Sequence, residues 1–251
     1  KEQFVYESLV KLTHWWIKSN DSFPVYQKPF DSGWDNATCF DDGGNATTPD
    51  LVSYLIIQMD YLCKLASRLS KDVESMDWAR QRDKLLSSFI STFWNGNEFM
   101  YRNDKGEVKN TTSLIRMIPL ILEHLLPMEV AQKMIDELKL ENHFLAPNGF
   151  ATESIRSALY DSRKGDVMKP NAYWRGPVWA PPMYMICESL SYFMETELEN
   201  KAKRRYINTI EKSGAFFEDY DAIHHIGYDD ISYGWTVATY TLFKKLRKTM
   251  L

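Results

Sequence analysis

The sequence predicts an all-α fold built as a ring of helical hairpins, and three observations carry the prediction. Apolar residues recur at three- and four-residue steps in eight stretches. These stretches alternate between apolar on most sides and strongly charged, as inner and outer helices do. Links from an apolar stretch to a charged one are short, near residues 71, 126 and 195, whereas the reverse links are long and rich in Gly and Pro. A ring of hairpins connected in this way carries its long loops at one mouth.

Residues 3 to 18 form the first helix, with Phe4, Val5, Leu9, Leu12, Trp16 and Ile17 in helical spacing. A long polar connection, Asn20 to Thr47, follows, and structureless loops of that length are usually functional. Thr48-Pro49-Asp50 starts an inner helix running to about Ser70, with Pro in its first turn. Residues 73 to 92 are charged enough to lie outside. Turn clusters at Asn95-Gly96-Asn97 and Asn103-Asp104-Lys105-Gly106 flank Phe99-Met100-Tyr101 and predict a small β-hairpin. Thr111 or Thr112 caps an apolar helix, Leu114 to Leu125, and Pro127 starts an amphipathic one, Met128 to Leu138.

Residues 140 to 177 make the second long connection, with Gly165 and Pro170 inside it and a short helical turn near Ser154 to Leu159. Pro177 to Phe193 is an apolar helix and Thr196 to Ser213 a charged one. A third loop, Gly214 to Asp230, leads into a last apolar helix, Ile231 to Leu246. The 251 residues read as a single domain.

Composition narrows the function. A net charge of -4 gives no reason to expect nucleic acid or an anionic membrane as partner. There is no apolar run of membrane-spanning length. Cys39, Cys63 and Cys187 are odd in number and lack the spacing of a zinc site or a disulfide framework; they fit a reducing, cytoplasmic setting. Sequons at Asn20, Asn36, Asn45 and Asn110 are short matches of the kind that arise by chance. Asp41-Asp42 lacks calcium-loop spacing, and the adjacent side chains of His224 and His225 diverge, so no metal or cofactor is expected.

The chemistry lies on the loop mouth. Asp31-Ser32-Gly33-Trp34-Asp35-Asn36 places a carboxylate between an indole and a carboxamide, after a Gly that permits a sharp turn. Phe216-Phe217-Glu218-Asp219-Tyr220-Asp221 supplies carboxylates from a second loop. Between them, Tyr173-Trp174-Arg175-Gly176-Pro177-Val178-Trp179 offers a guanidinium fork, a Gly for close approach of the backbone to a ligand, and two Trp as stacking plates. Glycoside hydrolysis needs two carboxyl groups on opposite sides of a sugar, one holding a proton, and burial beside an indole would favour that protonated state. Each motif has a blander reading as a turn or as packing. A carbohydrate-binding toroid without catalysis is the alternative, while a terpene cyclase would need an Asp-rich metal motif on a helix.

Ser32-Gly33-Trp34-Asp35-Asn36, Tyr173-Trp174-Arg175-Gly176-Pro177-Val178-Trp179 and the Glu218 loop, in that order, resemble the (α/α)6-barrel glycosidases of glycoside hydrolase family 63. That group is related to the family 37 trehalases, a second enzymatic alternative. Thr112-Ser113-Leu114-Ile115 with Pro119-Leu120 fits the same pattern. The resemblance implies an inverting exo-hydrolase of α-linked glucosides or related glycosides that needs no cofactor. Asp35 matches the general acid and Glu218 the general base. Trp34, Asn36, Tyr173, Trp174, Arg175, Gly176, Trp179, Tyr220 and Trp235 match the sugar-binding surroundings. Such a barrel has twelve helices, so the eight found here imply an incomplete ring whose partner is a set of N-terminal helices of the same polypeptide, and a chain unstable or inactive alone. The sequence departs from the family's usual pattern at Ala37-Thr38-Cys39 and at Asp221 to Gly227, which bears on substrate more than on reaction type.

Overall fold

The computed structural model describes residues 1–17, 23–161 and 172–248. Asn20, Gly165 and Pro170 lie outside the described residues. Among those described, seven α-helices and one long 3-10 helix dominate: α1 (Glu2–Trp16), α2 (Pro49–Arg68), α3 (Asp72–Phe93), the 3-10 helix Leu114–Leu125, α4 (Met128–Leu138), α5 (Ala180–Tyr192), α6 (Thr196–Ser213) and α7 (Gly234–Lys248).

The inner and outer assignment follows burial. Leu51, Val52, Leu55, Ile56, Met59 and Leu62 of α2 are buried. So are Leu114 through Leu120 of the 3-10 helix and Met183, Ile186, Cys187 and Leu190 of α5. The outer helices bury a single stripe each, such as Trp78, Phe89 and Phe93 on α3. The inner elements pack side by side, α2 against the 3-10 helix and that helix against α5, with α3, α4 and α6 behind them. α7 packs on α5 and α6, and among the residues whose burial is described it buries Thr236, Thr239 and Phe243. The two end helices carry apolar residues into solvent: Phe4 is 74% and Trp15 61% exposed on α1, and Trp235 is 51% exposed on α7.

Local chemistry sets the boundaries. Pro49 stands in the first turn of α2 after Thr48 in extended conformation. Gly214 ends α6 with φ +83, the left-handed cap that Gly adopts without a steric cost. The stretch Leu114–Leu125 is 3-10 and not α, because Pro119 removes a backbone donor and Glu123 sits at φ 50. Its cap is Ser113, whose hydroxyl accepts from the Ile115 amide at 3.4 Å, in place of Thr111 or Thr112. The segment from Ser154 to Leu159 forms successive turns without a helix.

The expected hairpin is present, with β1 (Tyr101–Arg102) antiparallel to β2 (Val108–Lys109). A second, β3 (Leu145–Ala146) with β4 (Gly149–Phe150), closes through Pro147-Asn148. The third loop is not a loop. Val178–Trp179 forms β5 and joins β6 (Phe217–Tyr220) and β7 (Gly227–Ile231) in an antiparallel three-stranded sheet. Glu218 therefore stands on a strand, and α5 begins at Ala180 because the preceding residues are paired with that strand.

Candidate active site

Asp35 sits in a turn that the local sequence builds. Ser32 donates to the Pro29 carbonyl at 2.5 Å and accepts the Trp34 amide at 2.9 Å, while Gly33 takes φ +71 between them. Trp34 is buried, and the chain then tightens into a 3-10 turn at Thr38–Phe40, leaving Asp35 half-buried.

The Tyr173 to Trp179 stretch closes over this turn. The Trp174 amide donates to Asn36 Oδ1 at 2.8 Å, and Arg175 Nε donates to the Asn36 carbonyl at 2.9 Å. The Arg175 fork grips the Asp41 carboxylate through both terminal nitrogens. Asn36 and Arg175, expected to meet the sugar, are thus braces between the acid turn and the second connection. Gly176 also serves packing: a Cβ there would lie 2.4 Å from the Asp161 carbonyl and 2.8 Å from the Tyr160 ring. Trp174 and Trp179 stack on each other at 4.0 Å and 13°, so they spend ring faces within the protein. Trp34 lies 4.9 Å from Trp174, and Trp235 6.5 Å from Trp179, extending the aromatic row outward.

β6 brings Glu218 to the same place. Trp179 pairs with Asp219 across the sheet, and the Tyr173 hydroxyl donates to Glu218 Oε1 at 2.6 Å. Asp35 and Glu218, 183 residues apart in sequence, lie within electrostatic reach of each other. Burial, and then the Glu218 charge, raise the Asp35 carboxyl above its ordinary value. Tyr173 is pushed up by burial, by its bond to Glu218 and by the charges of Glu218 and Asp35. Tyr233, absent from the sequence-derived set, is raised by burial, by Glu218, and then by the charges of Asp230 and Asp35.

Tyr220 does not join them. Its side chain is wholly buried, accepting the Phe217 amide and donating to the Ala215 carbonyl, each at 2.9 Å, and burial pushes its phenol up to about 12. Asp221 is a turn residue whose Oδ1 accepts the amides of Ile223 and His224. Asp42 binds Lys109 and Tyr101. Trp34, Trp174 and Trp235 line a cleft of about 510 Å³ together with Tyr54 of α2 and Tyr184 of α5. A second cleft, of about 430 Å³, is lined by Ile17, Met59, Arg80 and Leu85 and by neither carboxylate.

A half-buried carboxyl whose hold on its proton is strengthened, close to a second carboxylate and beside an aromatic cleft, forms with it a pair that can donate a proton on one side of a sugar and accept one on the other. The family model of the mannosylglycerate hydrolase MGH1-like glycoside hydrolase domain matches residues 3–236. The chain is 24% identical over 124 residues to the mannosyl-oligosaccharide glucosidase GCS1 of Arabidopsis thaliana, which is 44% of this chain and 14% of that protein. The GH63 mannosylglycerate hydrolase of Thermus thermophilus, solved in complex with glucose, superposes with TM-score 0.82 at 15% identity, covering 97% of this chain and 70% of that one. The neutral trehalase Nth1 of Saccharomyces cerevisiae superposes with TM-score 0.65 at 20% identity, covering 80% and 38%. These two likenesses show the (α/α)6 fold. The chain belongs to the family of mannosylglycerate hydrolase MGH1-like glycoside hydrolase domains, a glycosidase family of the family 63 type.

Proposed function

We propose that this chain carries the catalytic pair of an inverting exo-glycosidase acting on α-linked glucosides or related glycosides. Asp35 is the general acid: it passes its proton to the glycosidic oxygen as the bond to the anomeric carbon breaks. Glu218 is the general base: it takes a proton from a water that attacks that carbon from the opposite face. The leaving alcohol departs neutral, the sugar gains a hydroxyl of inverted configuration, and transfer of a proton from Glu218 back to Asp35 through solvent resets the pair. Trp34, Trp174 and Trp235 border the sugar, and Asn36, Arg175, Gly176 and Trp179 hold the walls.

The observation that supports this reading is the approach of Asp35 to Glu218, whose charge, after burial, raises the Asp35 carboxyl above its ordinary value. The names of the relatives supply the substrate class, a small glycoside or oligosaccharide containing mannose or glucose. We also propose that the apolar residues exposed on α1 and α7 are covered by further helices of the same polypeptide, completing the ring.

Asp35→Asn and Glu218→Gln test the assignment. In the polypeptide carrying the complete ring, each lowers hydrolysis of an aryl α-glucoside or of mannosylglycerate by about 10²–10⁴-fold, the range of general acid–base catalysis. Hydrolysis that survives both changes would sink the assignment, and retention at the anomeric carbon, seen by ¹H NMR of the first product, would sink the inverting mechanism.

A further inference from the structure

The Tyr173 hydroxyl donates to Glu218 Oε1 at 2.6 Å, and the rest of the residue is fixed around that bond. Its ring stands edge-on to Trp179 at 4.8 Å and 84° and to Trp174 at 6.3 Å and 82°, so the two stacked indoles set the direction of the phenol. Its backbone carbonyl accepts the Trp179 indole Nε1 at 2.8 Å. Trp179 is wholly buried and pairs with Asp219, the neighbour of Glu218 on β6. Glu218, Tyr173, Trp179 and Asp219 therefore close a circuit. The strand that carries the carboxylate also anchors the residue that holds the carboxylate's tip. Burial, and then the bond to Glu218, raise the phenol above its ordinary value, so it stays protonated at neutral pH and serves as a donor.

We infer that Tyr173 is a positioning residue for Glu218, its indole-packed hydroxyl holding the carboxylate in the rotamer that meets the attacking water. This rests on the reading of Glu218 as general base, and it gives Tyr173 a task other than the sugar contact that the family resemblance implies. The residue type suits the task. A Glu side chain has much rotamer freedom to lose, and a reacting group misplaced by about 1 Å can cost about a hundredfold in rate. Tyr has two side-chain torsions, both confined here by the indoles, whereas Lys would bring a flexible four-carbon stem. A carboxylate has about four lone-pair sites, so one phenol at Oε1 leaves room for the water.

Tyr173→Phe keeps the ring against both indoles and removes only the hydroxyl. In the polypeptide carrying the complete ring, with an aryl α-glucoside as probe, kcat is expected to fall about 10- to 100-fold, the worth of one hydrogen bond to a charged group, while KM stays within about twofold. A rise in KM at unchanged kcat would make Tyr173 a sugar-binding residue and overturn the inference. Unchanged kcat and KM would overturn it too. The side of the reaction is read with α-glucosyl fluoride, whose leaving group needs little protonation. Tyr173→Phe lowers turnover of the fluoride as much as that of an alkyl α-glucoside, whereas Asp35→Asn spares the fluoride. A loss confined to the alkyl glucoside would put Tyr173 on the acid's side and overturn the inference. The last readout is a double-mutant cycle. Because Tyr173 acts through Glu218, adding Tyr173→Phe to Glu218→Gln costs little further. A merely structural loss would multiply in full, and that result overturns the positioning role. The reading beneath it fails differently: hydrolysis retained in Glu218→Gln overturns Glu218 as base, whatever Tyr173→Phe does.

Discussion

The Asp35 carboxyl is raised above its ordinary value by partial desolvation and then by the charge of Glu218. The second cause can be removed alone. Glu218→Gln abolishes one negative charge without changing side-chain size, so the Asp35 carboxyl is expected to ionise at lower pH in that variant, measured by ¹³C-carboxyl NMR of aspartate-labelled chain. An unchanged midpoint would mean that burial alone sets the proton. Asp35 and Trp34 stand out in sequence in a short motif with a chemical rationale, whereas Glu218 is singled out from Asp219 and Asp221 by the family resemblance and not by spacing. Tyr220 is misplaced by sequence because nothing in Phe216-Phe217-Glu218-Asp219-Tyr220-Asp221 announces a strand, and without the strand the direction of each side chain is unknown. Tyr233 escapes notice for a related reason: a single aromatic before Gly234-Trp235 looks like an ordinary helix approach. Asn36 and Arg175 stand out as residues but not as braces, since their partners lie 138 and 134 positions away in sequence.

At the scale of elements, the start of α2 holds a buried carboxyl that catalysis does not use. Asp50 is fully enclosed, accepts the Tyr26 hydroxyl at 3.1 Å, and burial pushes it up to about 6. Its proton is bound more tightly in the folded chain than in the unfolded one. The sign follows: ionised Asp50 opposes folding, so stability from this group is intact below about pH 4 and falls as pH rises toward 6, by up to about 3 kcal/mol. Asp50→Asn is expected to flatten that part of the pH dependence, followed by urea midpoints between pH 4 and 7. Gly176→Ala tests the crossing of the second connection over itself. A methyl group driven against the Asp161 carbonyl costs about 1–3 kcal/mol and lowers Tm accordingly. Helix ends such as Met128–Leu138 and Thr196–Ser213 coincide with the sequence prediction, because Pro127 and Gly214 mark them by local stereochemistry. The sheet β5–β6–β7 is not foreseeable in the same way, since its register joins residues about forty apart and no local rule encodes that pairing.

For the whole molecule, the alternation of inner and outer helices and the gathering of long links at one mouth are both readable from periodicity. What periodicity leaves open is how many hairpins close the ring. The stripe Phe4, Leu12 and Trp15 on α1, with the exposed face of α7, is apolar surface of the kind that drives association. The 251-residue chain alone is expected to self-associate as its concentration rises, and Phe4→Glu with Trp15→Glu to suppress this, by sedimentation velocity. A monodisperse wild-type chain at high concentration would show that these stripes are tolerated as surface.

The amide of Trp174 resting on Asn36 has a consequence in time. The helical hairpins rely on contacts between chain neighbours, whereas this bond closes a span of 138 residues. Long spans are joined late, because their closure entropy is spent before distant contacts can offset it. The scaffold should thus acquire its helicity before it acquires its reactive mouth. During refolding, far-ultraviolet signal would recover ahead of the fluorescence of stacked Trp174 and Trp179. A protein that shows its full circular dichroism could still be waiting for its chemistry.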